Sequence, residues 1–410
     1  MRVLLVGSGG REHAIGWALS RSPRVTELIS LPGNPGLARL GAVVEGISAQ
    51  DVGAIAAMAR LQNVDLVVVG PEAPLAAGAV DAVSALGIPV FGPTRSAARL
   101  ESSKSYAKQV MTRAGVATAR SESFTEPGPA KEHLADLDGP YVVKADGLAA
   151  GKGVLVTESR HEAGRWVDHC LEGGFGPAGS SVLIEDFLDG PEVSVFAVCT
   201  EKGALPLEPA RDYKRLGDDD HGPNTGGMGS YSPVVDLPEG LVEQTMHSVV
   251  EPTLSQMADE GNPFHGFLYA GLVLTRDGPT VLEFNVRLGD PETQAILPRM
   301  TSDLVDVLEG ATPTWSESSS VNVVLAAEGY PEAPVKGATV KGLESIPEDV
   351  RVFHAGTAAD GKRLVVDGGR VLNLVGLGPN LETARERAYS AVAGVTWPGI
   401  QYRTDIAAQS

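Results

Sequence analysis

The sequence predicts a multidomain protein that combines α/β and α+β architecture. Its 410 residues are enough for roughly two to four domains. Three observations support this class: short apolar strands alternate with helices up to residue 92, longer strands follow in the middle of the chain, and short strands precede one helix in the region 321–410. We therefore expect an N-terminal doubly wound parallel sheet, a central α+β domain and a C-terminal β-rich domain.

The N-terminal unit, predicted to span residues 1–103, begins at once with a strand. Strand and helix patterns alternate along it, and such alternation is typical of a parallel sheet with helices on both faces. The sequence GPT at 92–94 closes the alternation. The predicted strands are 3–6, 27–31, 66–69 and 90–91, and the predicted helices are 11–20, 52–62 and 75–86.

The central domain is predicted to span residues 104–312, with a flap subdomain at about 118–190. A single helix is expected over 94–114, and mixed strands and loops follow it. Residues 312–320 contain Ser-Glu-Ser-Ser-Ser and are expected to form a linker. The predicted strands of this region are 141–144, 153–156, 181–187, 192–199, 266–274 and 280–285.

The C-terminal domain, residues 321–410, is predicted to be small and rich in strands. Its strands are short, and one amphipathic helix lies near the end of the chain. The predicted strands are 321–327, 351–355, 363–366 and 371–376, and the predicted helix is 381–393.

Composition and charge argue against several classes of protein. The hydrophobic content of 43% and the charged content of 21% are ordinary for a globular protein. A net charge of −19 argues against general binding to nucleic acid or to an anionic membrane. The two cysteines, Cys170 and Cys199, cannot form a disulfide framework or a four-ligand zinc site. We therefore expect a cytoplasmic protein, a monomer or a dimer, that binds neither nucleic acid nor a membrane.

The strand at 280–285 carries a polar face that predicts a metal site. Alternation of side chains puts Glu283 and Asn285 on one face, and Arg287 continues that face. A carboxylate and an amide oxygen suit a hard cation such as Mg²⁺, which proteins usually hold by only one or two side chains while phosphates complete its shell. An edge strand with a solvated face is the alternative, and the arginine and the Gly-Asp-Pro-Glu turn that follow argue against it. We therefore expect Mg²⁺, or Mn²⁺, at an ATP site.

Glycine-rich turns follow three of the N-terminal strands. GSGGREHA at 7–14 opens a helix, where backbone N–H groups can approach an anion. Glu12 replaces the third glycine of a dinucleotide motif, and no acidic residue after the second strand is placed to hold a ribose, so phosphate without a dinucleotide fits better. PGNPG at 32–36 and GPE at 70–72 lie at the same sheet edge, and the three turns together predict a pocket. A turn kept for close packing is the alternative for each.

Two central segments predict contacts with a nucleotide. KADGLAAGKGV at 144–154 lacks the Ser or Thr of a Walker loop, but its small residues and lysines predict a mobile hairpin that folds over phosphates. Phe187 and Leu188 lie at the end of a predicted strand whose backbone, from Glu185 onward, can hold adenine while an apolar side chain packs on the ring. Glu192 can bind ribose hydroxyls. The alternatives are a flexible hairpin with a solvated lysine and an ordinary strand and turn.

A long polar loop predicts contacts with an anionic substrate. It runs from RDYKR at 211–215 to GPNTGGMG at 222–229, and it combines cationic groups with a mobile backbone. Long loops inside compact domains are usually either functional or disordered. The histidines are scattered, and no Ser/His/Asp or Cys/His set can be defended, which fits chemistry based on ATP and a metal ion.

Together these motifs resemble the glycinamide ribonucleotide synthetase family of the ATP-grasp superfamily, along essentially the full chain and in order. The resemblance implies ATP-dependent ligation of glycine to 5-phosphoribosylamine in purine synthesis, through a glycyl phosphate, with release of ADP and phosphate. It also implies that the central domain has the ATP-grasp fold. The motifs that carry it are GSGGREHA at 7–14, PGNPG at 32–36, KADGLAAGKGV at 144–154, GPNTGGMG at 222–229 and NVRLGDPETQ at 285–294.

The resemblance also implies roles for individual residues. The implied catalytic residues are Arg287, which neutralises the transferring oxygens, Lys144, and Asp212, which orients the glycine ammonium. The implied metal ligands are Glu283 and Asn285. The implied ATP contacts are Lys104, Lys144, Gly147, Gly151, Lys152, Gly153, Glu185, Phe187, Leu188 and Glu192. The predicted substrate contacts are Gly9, Gly10, Asn34, Glu72, Asp212, Asn224, Thr225, Gly226, Gly227, Arg287 and Asp290.

Three other functions compete with this interpretation. Another ATP-grasp enzyme, such as a purine-pathway carboxylase or a formate-using transformylase, shares the scaffold, and glycine-dependent ADP release separates it from a glycine ligase. A nucleotide-binding sensor would bind ATP without turnover, and the intact metal strand argues against it. A nicotinamide-dependent oxidoreductase is disfavoured by Glu12 and by the missing acidic residue.

Overall fold

The computed structural model describes residues 1–149 and 152–408, and its first unit is the predicted doubly wound sheet. The strands are β1 (Arg2–Gly7), β2 (Glu27–Pro32), β3 (Ala42–Val43), β4 (Leu66–Val69) and β5 (Val90–Phe91). The helices are α1 (Gly10–Ser20), α2 (Val52–Leu61), α3 (Glu72–Ala77), α4 (Ala79–Ser84) and α5 (Arg99–Ser102). All strand pairs are parallel, in the order β3-β2-β1-β4-β5. The order reverses at β1, and such a reversal opens a crevice for ligands at the carboxyl ends of the strands.

Two predicted helices are each broken by a single residue. The helix expected over 75–86 is α3 and α4, separated by Gly78, whose φ of 96° is left-handed and favours glycine. The helix expected over 94–114 is α5 and a second helix that begins at Lys104, because Ser103 is extended and its Oγ accepts a hydrogen bond from Tyr106 N. Lys104 therefore lies at a helix N-terminus. The short strand β3 was not predicted.

The flap subdomain is a four-stranded antiparallel sheet with two helices. Its elements, with the helix that leads into it, are α6 (Lys104–Ala114), β6 (Ser121–Phe124), α7 (Pro127–Ala135), β7 (Tyr141–Ala145), β8 (Val154–Thr157), α8 (Arg160–His169) and β9 (Val182–Glu185). The strand order is β6-β9-β7-β8. The strand expected over 181–187 is shorter than predicted, because β9 ends at Glu185. Phe187, which the prediction placed inside the strand, and Leu188 therefore lie beyond it.

The central sheet carries the metal strand at its edge. The order of its antiparallel strands is β11-β10-β16-β17, and the outer side of β17 forms one isolated parallel bridge, between Val281 and Thr118. The elements of this region are β10 (Glu192–Thr200), β11 (Gly203–Pro206), β12 (Arg211–Asp212), β13 (Arg215–Gly217), β14 (His221–Asn224), β15 (Gly229–Ser232), α9 (Leu241–Thr245), α10 (Glu251–Asp259), β16 (Gly266–Thr275), β17 (Gly278–Asn285), α11 (Glu292–Ile296) and α12 (Leu304–Leu308).

The C-terminal sheet recruits strands from the central region. Its order is β12-β15-β18-β22-β19, so the chain around the polar loop crosses the predicted domain boundary. The remaining elements are β18 (Ser319–Ala326), β19 (Val350–His354), β20 (Thr357–Asp360), β21 (Arg363–Val366), β22 (Arg370–Gly378) and α13 (Leu381–Gly394). The linker expected over 312–320 is wrong at its end: Ser319 and Ser320 are buried in β18, where Ser320 pairs with both neighbouring strands.

Apolar packing joins the first sheet to the central sheet. Leu4 and Val6 on one face of β1 share a buried cluster with Val195 and Leu268, and the opposite face of β1 packs into a second shared cluster. The flap subdomain has a separate core. In the described part of the chain, no helix is long and apolar enough to cross a membrane. The polar residues predicted to bind ligands therefore lie along the boundaries between these packed units: the first sheet, the central sheet and the flap subdomain.

Candidate active site

The predicted metal ligands lie at the carboxyl end of β17, inside a ring of positive charge. Asn285 Nδ2 is 3.5 Å from Glu283 Oε1. Burial alone would raise the pKa of Glu283, but surrounding cations hold this pKa below its usual value. These cations are, in order of effect, Lys214, Lys144, Lys104 and Arg287. The structure therefore brings the predicted phosphate-binding lysines and Arg287 to one carboxylate.

The donor set at Glu283 and Asn285 fits a hard divalent cation. It offers one ionised carboxylate and one amide oxygen. Within residues 1–149 and 152–408, no three His, Cys, Asp or Glu side chains gather in a metal-binding group. A cation held by Glu283 and Asn285 would complete its coordination with water or with oxygens of a bound ligand. Mg²⁺ is commonly held in this way, by one or two protein oxygens plus phosphates. The same oxygens also suit Mn²⁺.

Lys144 connects the flap subdomain to the metal strand. Its Nζ lies 2.9 Å from Glu185 Oε2 and 3.4 Å from the carbonyl oxygen of Leu282. Lys108 Nζ lies 3.5 Å from the same Glu185 carboxylate. The side chain of Glu185 therefore binds two lysines, and the predicted adenine contact at this position rests on its backbone. Lys108 was not predicted, although it lies one helical turn after Lys104, on the same face.

Phe187, Leu188 and Glu192, the predicted adenine and ribose contacts, lie between the end of β9 and the start of β10. Phe187 follows β9 and is 44% exposed, which is high for a large aromatic side chain. Glu192 begins β10, and its carboxylate lies 3.6 Å from Lys214 Nζ. The assignment of these three residues to ATP stays a prediction.

The flap contacts both the central domain and the C-terminal domain. Lys104 Nζ donates a hydrogen bond to the carbonyl oxygen of Gly147 at 3.1 Å, and Lys152 Nζ donates one to the carbonyl oxygen of Pro331 at 3.1 Å. A Cβ atom added at Gly147 would lie 2.7 Å from Cα of Ala178, so glycine is needed for this close approach. The other two predicted flap glycines are Gly153, which immediately precedes β8, and Gly151, which lies outside the described residues.

Arg287 is held between two carboxylates from different parts of the chain. Its Nε donates a hydrogen bond to Glu72 Oε2 at 3.1 Å, and its Nη2 lies 3.0 Å from Glu101 Oε1. Glu101 also accepts a hydrogen bond from Val286 N at 2.8 Å. Burial would raise the pKa of Glu72, yet Arg287 and Arg11 lower this pKa to about 2. Burial raises the pKa of Glu101 to about 7.

These contacts give the predicted residues Glu72 and Arg287 a shared structural role. Glu101 was not predicted: the sequence around it shows only a helix turn before Lys104, and its partner Arg287 is distant in the chain. The network fixes the direction of the Arg287 guanidinium, which the metal strand alone does not.

A second charged cluster surrounds Asp212. Lys214 Nζ lies 3.0 Å from each carboxylate oxygen of Asp212, and Tyr269 and Glu292 are buried close to both. Burial would lower the pKa of Lys214, but Asp212 holds this pKa well above its usual value. Burial, and then the charge of Asp212, raise the pKa of Glu292 to about 7. Lys214 and Glu292 were not predicted, although both lie inside motifs that the sequence marks.

Asn34 is engaged by backbone groups on all sides. Its Oδ1 accepts hydrogen bonds from Gly36 N and Leu37 N, each at 2.9 Å. Its Nδ2 donates to the carbonyl oxygens of Ser8 at 2.8 Å and His354 at 2.9 Å. Asn34 therefore closes the turn after β2 and joins it to the C-terminal domain, and its contact with a substrate stays a prediction.

The turn after β1 is packed against the Gly-Asp-Pro-Glu turn. Gly9 N donates a hydrogen bond to Glu12 Oε2 at 2.7 Å. A Cβ atom added at Gly9 would lie 3.3 Å from Asp290 Oδ2, and one added at Gly10 would lie 2.6 Å from Gln294 Nε2. The structure therefore brings Gly9, Gly10 and Asp290 together, as the predicted substrate pocket requires.

The glycine-rich loop is held by the C-terminal domain. Thr225 Oγ1 donates a hydrogen bond to the carbonyl oxygen of Lys214 at 2.8 Å and accepts one from Gly227 N at 3.0 Å. Arg370 Nη1 donates to the carbonyl oxygens of Gly226 and Asp290, each at 2.6 Å. Arg370 was not predicted, because nothing in its local sequence distinguishes it from a surface arginine. Asn224, at the end of β14, is exposed.

Family models and individual relatives match this chain over nearly its whole length. Family models for phosphoribosylglycinamide synthetase match in three parts: the N domain at residues 1–101, the ATP-grasp domain at 102–293 and the C domain at 320–409. A phosphoribosylamine–glycine ligase of Rhizobium meliloti is 46% identical over 414 residues, covering 99% of this chain and 98% of the relative. The corresponding ligase of Streptomyces coelicolor is 47% identical over 423 residues, covering 100% and 99%.

A solved structure agrees with the fold. The crystal structure of a phosphoribosylamine–glycine ligase from Thermotoga maritima superimposes with a TM-score of 0.86 at 37% identity, and the match covers 99% of this chain and 100% of that one.

Proposed function

The chain belongs to the phosphoribosylglycinamide synthetase family, and we propose that the centre around Glu283 performs the ligase reaction of that family. The protein is an ATP-dependent ligase that joins glycine to 5-phosphoribosylamine in purine biosynthesis. One arrangement carries the assignment of the site: Glu283 and Asn285 lie side by side on β17, Lys144 Nζ lies 3.4 Å from the neighbouring Leu282 carbonyl oxygen, and the cations around them hold the pKa of Glu283 below its usual value. Such a centre suits a bound metal–phosphate group.

The proposed reaction has two steps. The carboxylate of glycine attacks the γ-phosphorus of ATP, and the bond to ADP breaks, which gives glycyl phosphate. The amine of phosphoribosylamine then attacks the acyl carbon, phosphate leaves, and the nitrogen loses a proton. The first step brings two anions together, so positive groups must offset their repulsion. Mg²⁺ bound at Glu283 and Asn285 would supply part of that charge.

The protein supplies the remaining charge and the exclusion of water. In this proposal Lys104 and Lys144 bind the phosphates of ATP, and the charges of both lower the pKa of Glu283. Arg287, which Glu72 and Glu101 hold in place, neutralises the transferring oxygens. An acyl phosphate is labile in water, and the flap that carries Gly147 and Lys152 can shield it by closing.

We assign the ammonium of glycine to the cluster around Asp212. Asp212 and Glu292 are two buried carboxyl groups that face Lys214, which gives the cluster more acidic than basic groups. A bound ammonium would complete that balance. The pKa of Glu292, about 7, also suits the transfer of a proton near neutral pH. The turn containing Gly9 and Gly10 and the facing Asp290 are the proposed contacts for phosphoribosylamine.

The deciding experiment measures ADP release from ATP and Mg²⁺ with glycine and freshly prepared phosphoribosylamine each added or omitted. We expect ADP to require both, with glycinamide ribonucleotide as the product. Glu283→Gln should lower turnover at least about 10²-fold, whereas Glu309→Gln, which alters a surface ion pair with Arg24, should leave turnover unchanged. Absence of ADP with both substrates, in folded protein that binds ATP, would exclude the proposed reaction.

We also propose the domain division 1–103, 104–312 and 321–410, which the three matched family segments support within a few residues in the N-terminal half. We further propose a cytoplasmic location, supported by the two buried cysteines Cys170 and Cys199, which form no disulfide with each other.

A further inference from the structure

The segment that follows α13 returns to the polar loop at the active site. Arg403 in this segment is the largest fully buried side chain among the described residues, at 1% exposure. Its Nη1 donates hydrogen bonds to the carbonyl oxygen of Arg215 at 3.2 Å and to Asp220 Oδ1 at 2.8 Å. Its guanidinium carbon lies 4.8 Å from the centre of the Tyr213 ring. A single buried arginine therefore contacts the loop in three places: the Arg215 carbonyl oxygen, the Asp220 carboxylate and the Tyr213 ring.

Other backbone and side-chain groups of the same segment also form hydrogen bonds with the loop. Thr404 N donates a hydrogen bond to Asp218 Oδ1 at 2.7 Å, and Asp219 N donates one to Asp405 Oδ2 at 3.0 Å. Ala407 N donates to the Tyr213 hydroxyl oxygen at 2.9 Å. We call residues 403–407 the C-terminal strap.

The strap holds a turn whose backbone is uncommon for residues other than glycine. Asp219 and Asp220 have φ values of 53° and 54°, in the left-handed region. Such a conformation persists when the surrounding contacts over-determine it. The contacts with Arg403 and Asp405 provide that restraint, so the geometry of the turn depends on the strap.

The strap and the active site contact neighbouring residues of one short segment. Arg403 contacts the ring of Tyr213 and the backbone carbonyl oxygen of Arg215, whereas the side chains of Asp212 and Lys214 contact each other. Lys214 lies between the two residues that Arg403 holds, so restraining residues 213 and 215 also restrains the backbone of Lys214. The strap thus sets the position of a cation that contributes to the charge at Glu283.

We propose that Arg403 is a positioning residue for the ligase reaction. Through Tyr213 and Arg215 it places Asp212 and Lys214 for the use of glycine and phosphoribosylamine. The inference rests on the proposed function. Lys104 and Lys144 lie on α6 and β7, and among the described residues the strap forms no hydrogen bond or ion pair with either element. Lys214 reaches the ATP site only through Glu192 and through its charge near Glu283. Loosening the strap should therefore impair the use of glycine and phosphoribosylamine much more than the binding of ATP.

The test compares Arg403→Met with wild type in the full-length protein. We expect the KM for glycine to rise about tenfold or more, a loss of about 1.4 kcal/mol in binding, while the Kd for a nonhydrolysable MgATP analogue changes less than about twofold. Arg387→Met is the matched control: Arg387 lies on α13, donates to the carbonyl oxygen of Leu377 and pairs with Asp349, away from the loop. We expect wild-type constants for the control. Unchanged KM values for both substrates in folded Arg403→Met would overturn the proposal.

Hydrogen exchange keeps the inference separate from the activity assay. The amides of Thr225 and Met228 donate to the carbonyl oxygens of Lys214 and Tyr213, so they report on the loop directly. Their exchange should be faster in Arg403→Met and unchanged in Arg387→Met. If Arg403→Met does not fold, Tyr213→Phe removes only the hydroxyl that accepts from the strap, and it should raise the exchange of the same amides. Unaltered exchange would exclude the strap even if the wild type lacks ligase activity, whereas faster exchange without ligase activity would support the strap and refute only the proposed reaction.

Discussion

Replacing Arg287 by Met should destabilise the protein chiefly through Glu72, because Glu101, with a pKa of about 7, can take up a proton when its partner is lost. Glu72 has a pKa of about 2 in the folded protein, against 4.5 for the free side chain, chiefly because of Arg287. Each unit of difference corresponds to about 1.4 kcal/mol, so Glu72 makes a net contribution of about 3 kcal/mol at pH 7, which is the attraction of Arg287 and Arg11 less the cost of burial. Because the folded pKa is lowered, this contribution is fully present above pH 4.5 and is lost as the pH falls towards 2.

The experiment is a double-mutant cycle of Arg287→Met, Glu72→Gln and the combined variant. Unfolding by urea is followed through tryptophan fluorescence in the same transition for all four proteins. We expect Arg287→Met to lose about 3 kcal/mol, because it leaves a buried carboxylate without its partner. The combined variant should recover most of this loss, which gives a coupling energy of about 2–3 kcal/mol at pH 7 and about half of that at pH 3.

The same variants separate stability from catalysis. Recovered stability in the combined variant should not restore turnover, because the guanidinium that faces the transferring oxygens is absent; we expect kcat to stay at least about 10²-fold below wild type. Two results would refute this reasoning: additive effects on stability, within about 0.5 kcal/mol, or restored turnover in the combined variant.

Three further predictions follow from contacts described above. Glu283→Gln should raise the Mg²⁺ concentration needed for half-maximal ADP release and lower kcat at least about 10²-fold, measured by metal titration. Gly147→Ala should place a Cβ atom 2.7 Å from Cα of Ala178 and destabilise the flap by about 1–3 kcal/mol, seen as faster limited proteolysis of the flap. His13 and His354 have pKa values lowered by burial from 6.5 to about 3 and about 4, so their contribution to stability is complete above pH 6.5 and is lost as the pH falls. The free energy of unfolding should be lower at pH 5 than at pH 7 by about 2 kcal/mol for each histidine, and His13→Asn should remove the part of this difference that is due to His13.

Local sequence patterns predicted most of the fold because they record burial. The strands at 3–6 and 66–69 are uniformly apolar, and the glycine-containing turns after them mark the sheet edge where ligands bind. The breaks at Gly78 and Ser103 were missed although both carry local signals, a left-handed glycine and a serine cap, because the apolar period continues across them.

Contacts between distant parts of the chain were beyond the reach of sequence patterns. Arg287 was assigned a chemical role from the metal strand, but its partner Glu101 lies 186 residues earlier and has no distinctive neighbours. Burial raises the pKa of Glu292, and burial is a property of the folded chain. The joining of β12 and β15 to the C-terminal sheet depends on pairing with β18, which no local period encodes.

The charge of the protein and the charge of its site have opposite signs, and the arginines explain how both are maintained. The chain has a net charge of −19, yet its ligands are anionic phosphates. Arg287, Arg370 and Arg403 each join segments from different regions, so the cations that stabilise the domain seams also hold the site together. A phosphate bound beside Glu283 would lie within a Debye length, about 8 Å at physiological salt, of the neighbouring lysines, whereas charges on the surface beyond that distance are screened. Local cations therefore outweigh the overall field, and the affinity for ATP should depend only weakly on ionic strength.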